Sequence, residues 1–340
     1  MAEPALPEAP GDRYPQLLRS GRARWWRPVL GLLLAAVVLV IGGVVLTGAA
    51  YVLSAATGQS QGAVIEESLR PDSVLGLLAN NLVIALLIPA SVLAVLLVHR
   101  ERAGRLAAVT GRLRWGLLGR LLVVASVVVL AFFGVGFLLP SGSDLSVDAP
   151  STPALLGLLA VVLLTTPLQS AAEEVGFRGY LSQAVASWFS RPLVGTLLAG
   201  ALSAVLFALA HGVQDAWLFG DRLAFGIVAS WLAWRTGGLE APIALHVANN
   251  VVSLVYSATT GTLASALSAS ELEWQFAVLD VTMMLTFAVV VGGVLGRRLG
   301  RRHLVVRAGA VVAGSEAVGY PGPRPSTPPP AGGENPWGMG

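Results

Sequence analysis

Residues 29–55 read VLGLLLAAVVLVIGGVVLTGAAYVLSA, without one charged side chain. A helix over this stretch rises about 40 Å, more than the roughly 30 Å of bilayer hydrocarbon. The run is too long for the core of a secretory signal, so it reads as a first transmembrane helix. Apolar segments of similar kind follow at about 73–98, 116–139, 153–172, 192–211, 217–235, 239–257 and 274–296. The sixth and seventh of the whole set are short and interrupted by Asp221, Arg222 and Pro242. Composition agrees with the segments: 55% of the 340 residues are hydrophobic and 12% are charged, with mean hydropathy +0.72. Such a chain lacks the polar surface of a soluble enzyme and the charge of a disordered chain or a coiled coil. The expected fold is all-α, a polytopic membrane helix bundle of about eight transmembrane helices with a disordered C-terminal tail.

The 22 basic residues are all arginine, which together with the Ala, Gly and Val richness points to a high-GC, bacterial genome. They gather at the ends of apolar segments, the pattern of membrane topology rather than of nucleic-acid binding. Arg13, Arg19, Arg22, Arg24 and Arg27 precede the first segment; Arg100, Arg102, Arg105, Arg112 and Arg114 lie between the second and third. Arg235 follows the sixth, and Arg297, Arg298, Arg301 and Arg302 follow the last, whereas loops 140–152 and 258–273 carry none. Eight helices with both termini cytoplasmic satisfy this distribution. The chain then divides into a basic cytoplasmic segment, 1–28; three helices, 29–152; four helices, 153–257; a last helix with its basic flank, 258–302; and a Pro/Gly-rich tail, 303–340, too polar to bury a core. Cysteine is absent, so thiolate chemistry is excluded.

Ionisable groups inside a membrane demand a reason, and here they fall in three places. The first is Glu173-Glu174-Val175-Gly176-Phe177-Arg178. On a helix Glu174 and Arg178 share a face and can pair, while Glu173 points about a quarter-turn away and lacks that partner. The second is Phe207-Ala208-Leu209-Ala210-His211, a histidine closing an apolar helix. The third is His246-Val247-Ala248-Asn249-Asn250, which puts His246 and Asn250 on one helical face. Taken singly, each has a plain reading: a solvated helix end, a core histidine, or polar glue between helices. Taken together, a Glu, two His and an Asn from different helices make a hydrolytic set. The carboxylate takes a proton from water, and a His and the Asn donate to an oxyanion.

These motifs resemble those of the CAAX protease and bacteriocin-processing (CPBP, or Abi) family, intramembrane endopeptidases related to the eukaryotic prenyl-protein protease Rce1. The resemblance covers about residues 153–257, which would form the catalytic core. It implies that Glu173 activates water with help from His211, and that His246 and Asn250 form the oxyanion hole. Glu174 and Arg178 would support them, with Arg178 orienting Glu174, and Phe207 would pack beside the site. It implies a glutamate protease without cofactor, acting on membrane-embedded or lipid-anchored peptides or proteins in the bilayer. A zinc ion on Glu173, His211 and His246 is the alternative chemistry. Alternative functions are a non-catalytic membrane scaffold or regulator that keeps the fold, and a proton-coupled transporter, which would call for repeats that the sequence lacks.

One conflict stands at this level. His211 lies about 20 residues, or roughly 30 Å of helix, beyond Arg191, whereas Glu173 sits near the cytoplasmic end of the fourth segment. The two meet only if the fourth segment continues as a long helix past Arg178, or if the fifth begins later and sits shallower.

Overall fold

The computed structural model describes residues 14–19, 23–140 and 150–295, with Val294 and Leu295 described by backbone alone. The tail at 303–340, Arg13, Arg22 and the arginines from Arg297 to Arg302 lie outside the described residues, as do positions 141–149 of the loop without arginine. Helices α1 (Trp26–Thr57), α2 (Gln61–Leu69), α3 (Val74–Ala85), α4 (Leu87–Leu93) and α5 (Trp115–Gly136) form the first half. The second half holds α6 (Thr152–Glu174), α7 (Ser182–Ala186), α8 (Pro192–Leu209), α9 (Ala216–Thr236), α10 (Glu240–Thr260), α11 (Leu263–Leu267) and α12 (Trp274–Val289). Local chemistry sets several boundaries. Ser73 accepts from the Gly76 amide at 2.8 Å and Asp215 from the Leu218 amide at 2.8 Å, satisfying helix-start donors. Gly237 and Gly261 end α9 and α10 with φ of 68° and 72°, a left-handed stop that favours glycine.

Six helices among the described residues are long and apolar enough to cross a membrane: Trp26–Thr57, Val74–His99, Trp115–Gly136, Thr152–Ala186, Pro192–Leu209 and Trp274–Gly293. The expectation of about eight differs by α9 and α10. Both are helices of 21 residues, but their polar side chains keep them out of the apolar class. The physical reason is their surroundings. Helix α10 packs on α5, α6 and α9, and Glu240 through His246 are all buried along it. Its polar groups therefore face protein, where partners can satisfy them, instead of lipid, where none exist.

The central core joins α5, α9, α10 and α12 through Leu121, Leu232, Leu245, Met283, Met284 and Phe287. Because lipid tails are as apolar as these side chains, close packing does the work that the hydrophobic effect does in water. Gly226 shows how close: a Cβ there would stand 2.6 Å from the Ala204 Cα, so α8 and α9 approach each other backbone to backbone.

At the N-terminal end of α10, Glu240 is fully buried and takes three bonds from Arg114: from its amide at 2.7 Å, Nε at 2.9 Å and Nη2 at 2.6 Å. Two backbone bonds brace the same junction, Val109 N to Gly237 O and Leu239 N to Ala107 O, each 2.9 Å. Arg114→Ala would leave the Glu240 carboxylate buried without its cation. The expected loss is about 2–3 kcal/mol, at the low end for a broken buried pair because Arg114 keeps some contact with solvent. Thermal unfolding in detergent measures it, and an unchanged transition would refute it.

Candidate active site

The site is built on α6, and α6 does not stop at its two glutamates. It runs through a π-helical turn, Val175–Leu181, into α7, giving one span of 35 residues from Thr152 to Ala186. This resolves the depth conflict in favour of a long fourth helix. Glu173 lies 13 residues before Ala186, about 20 Å along the axis. The π turn, a distortion that often sits at functional sites, bonds the Phe177 carbonyl to the Ser182 amide. That oxygen accepts from Ser182 Oγ at 3.0 Å and from Ser203 Oγ of α8 at 2.9 Å, so it ties α8 to α6. The side chain of His211 turns back along α8. Its Nδ1 lies 2.7 Å from the carbonyl oxygen of Phe207, one turn back, so the imidazole reaches toward the shallower end of α8.

Glu174 and Arg178 pair as their spacing requires, Nη1 to Oε1 at 3.0 Å, with both side chains at 0% exposure. The guanidinium lies over the Phe207 ring, 4.3 Å from its centroid, a cation–π contact made strong by desolvation. His246 Nδ1 lies 2.8 Å from the same Glu174 Oε1. Its other nitrogen, Nε2, is 3.3 Å from Glu173 Oε2. One imidazole thus spans the adjacent carboxylates of the first motif from the face of α10.

Glu173 is buried and its two oxygens differ. Oε1 accepts from Gln169 Nε2 at 2.9 Å. Oε2, though near His246, is not aligned to accept a hydrogen bond from it and has no hydrogen-bond donor among the described residues. A buried acceptor without a donor is rare and calls for an explanation. Asn250 Nδ2 donates toward Ser170 Oγ at 3.3 Å and Gln169 Oε1 at 3.4 Å.

Phe207 holds the two histidines in one locality. Its ring centroid is 4.7 Å from that of His211 and 6.0 Å from that of His246, and Phe225 stacks on it at 5.4 Å. The residues singled out on three separate segments therefore share one neighbourhood. The direct neighbour of Glu173 is His246; His211 packs against Phe207 and is exposed. Arg178 also lines a largely apolar cavity of about 310 Å³, together with Leu197, Ile227, Trp231 and Trp234 among others.

Both ring nitrogens of His246 face carboxylates, and no group of three His, Asp or Glu side chains among the described residues is arranged to hold a metal. Glu173, His211 and His246 do not form such a set for a zinc ion. Sequence reasoning missed Gln169, Ser170 and Phe225. Gln169 had a signal: it is a polar residue in an apolar run, four positions before Glu173 and so on the same face. Phe225 had none, because an aromatic residue in an apolar helix is ordinary.

Residues 153–252 match the model of the Type II CAAX prenyl endopeptidase Rce1-like family. The uncharacterized protein YyaK of Bacillus subtilis (strain 168) is 27% identical over 189 residues, 55% of this chain. The chain spans 63% of that relative's length. No solved structure matches the chain.

Proposed function

We propose that this multi-pass membrane protein, whose residues 153–252 belong to the Rce1-like CAAX prenyl endopeptidase family, is an intramembrane endopeptidase that uses Glu173 as its base. The observation that carries this reading is Glu173 Oε2, a buried carboxylate oxygen that accepts no hydrogen bond among the described residues. Its other oxygen is held by Gln169, so the free lone pairs are aimed and ready to accept a proton.

In this mechanism Oε2 takes a proton from a water molecule as the water oxygen bonds to the scissile carbonyl carbon. The carbonyl oxygen becomes an oxyanion. Asn250 has a second N–H beyond the one turned toward Gln169 and Ser170, and with His246 Nε2 it supplies the stabilising donors. With Nδ1–H donating to Glu174 Oε1, the Nε2 of His246 is a donor when the ring carries both protons. When the C–N bond breaks, the proton on Glu173 passes to the departing nitrogen, and the carboxylate is restored. His211, whose Nδ1–H donates to the Phe207 carbonyl, keeps Nε2 as an acceptor and would steady the water. The substrate is a membrane-embedded or lipid-anchored peptide or protein, and the arginine-rich loops and both termini face the cytoplasm.

The test is cleavage of a quenched fluorescent peptide, anchored in proteoliposomes by an acyl or prenyl chain, with wild type and His211→Ala side by side. Wild-type cleavage that falls about 10²-fold or more in the variant is expected for loss of an acid–base partner. Equal rates would remove His211 from the mechanism. Activity that survives prolonged chelation and is not raised by added zinc is expected; loss on chelation and return with zinc would replace the glutamate mechanism with a metal one. Accumulation of a solute in the same vesicles, with no cleavage, would favour a transporter.

A further inference from the structure

Gln169 lies one helical turn before Glu173 and is buried. Its side-chain amide is used at both ends. Nε2 donates to Glu173 Oε1 at 2.9 Å. Oε1 accepts from Ser170 Oγ at 3.2 Å and from Asn250 Nδ2 at 3.4 Å. The orientation of this amide is dictated by chemistry: an ionised carboxylate can only accept, and the Asn250 amide nitrogen can only donate. A flipped amide would set oxygen against oxygen at Glu173 and nitrogen against nitrogen at Asn250. The same argument fixes Asn250, because its Nδ2 end is held toward the cluster and its remaining N–H has a defined direction.

We propose that Gln169 is a positioning residue, a single amide that sets the carboxylate of Glu173 on α6 and the amide of Asn250 on α10 in mutual register. The inference rests on the protease reading above and deepens it. In that reading the base and the oxyanion donor must be placed on opposite sides of one carbonyl group, and errors of about 1 Å are enough to slow such reactions about 10²-fold. A side chain bonded to both groups turns two independent positions into one. Polar glue between helices is the competing role for such a bond, and it predicts a different response.

Gln169→Met keeps the length of the side chain and removes both functions. With the peptide assay above, kcat is expected to fall about 10–100-fold while KM stays within about twofold, the pattern of an interaction felt in the transition state. In the double variant with Asn250→Ala, the losses are expected to be far from additive, since both act through one unit. Gln169→Glu still accepts from Asn250 and Ser170 but sets a like charge against Glu173, and a greater loss than for Gln169→Met is expected. It also serves where Gln169→Met fails to fold. Gln169→Met with wild-type kcat and a lowered unfolding temperature would overturn the proposal in favour of helix glue, as would additive losses in the double variant. The two readings fail separately. Wild-type rates in Glu173→Gln would overturn the protease mechanism, whereas an inactive Glu173→Gln beside a fully active Gln169→Met overturns only the role of Gln169.

Discussion

Glu173→Gln is expected to lower kcat by about 10²–10⁴-fold, the range associated with a positioned acid–base group, while the bundle stays folded. The substitution is nearly isosteric. A glutamine oxygen at the Oε1 position still accepts from Gln169 Nε2, the bond that is 2.9 Å in the wild type. The group lost is the carboxylate Oε2, the atom that accepts no hydrogen bond among the described residues, and with it the capacity to hold a proton. If that oxygen were merely a structural element, replacing it with a neutral amide would relieve a buried charge and leave function intact. The two views therefore diverge on one measurement, the initial rate of peptide cleavage, with the unfolding temperature as control. A variant that cleaves at the wild-type rate would move the chain to the scaffold class.

Arg178→Ala is expected to destabilise the protein by about 3–5 kcal/mol, the cost of removing one partner from a buried ion pair. The side chains of Arg178 and Glu174 are both at 0% exposure, so water cannot take over either charge. Glu174 would keep only the His246 bond, and Phe207 and Phe225 would lose the cation that lies 4.3 and 5.5 Å from their ring centroids. The variant is expected to unfold or aggregate in detergent at temperatures where the wild type survives. Removing both charges at once, as Arg178→Met with Glu174→Gln, is expected to recover much of the stability, because no unpaired charge is left buried. The double variant is also expected to lose activity, since Glu174 no longer holds His246 as a full carboxylate. Recovery of fold without recovery of rate separates the two roles of this pair; a single variant as stable as wild type would show that the pair is not structural.

How much of this was legible beforehand varies by residue. The Glu174–Arg178 pair was, because helical periodicity alone brings positions four apart onto one face. The apolar spans were, because bilayer thickness sets a length that any apolar run can be measured against. The bridge from His246 to both glutamates was not: it depends on the rotation of α10 against α6, which no local pattern encodes. Helices α9 and α10 show the same limit from the other side. Their charges made them weak spans by composition, yet α10 lies among other helices with Glu240 held by Arg114. Whether a polar helix is tolerated is settled by its neighbours, and neighbours are a property of the assembled bundle.

The amino-acid order alone was enough to establish a charge-poor helical membrane protein and to mark Glu173, His211, His246 and Asn250 as chemically unusual. Those conclusions rest on bilayer dimensions and helical pitch, which act within one segment at a time. Packing established the rest: that the fourth helix runs on through a π turn and so sets Glu173 well inside one long span, that His246 and not His211 stands next to Glu173, and that Gln169 links the acid to Asn250. Each of these is a contact between segments far apart in the chain. Such contacts follow from how whole helices rotate and slide to fill space, and the energy that selects among those arrangements is spread over many residues instead of written in any one motif.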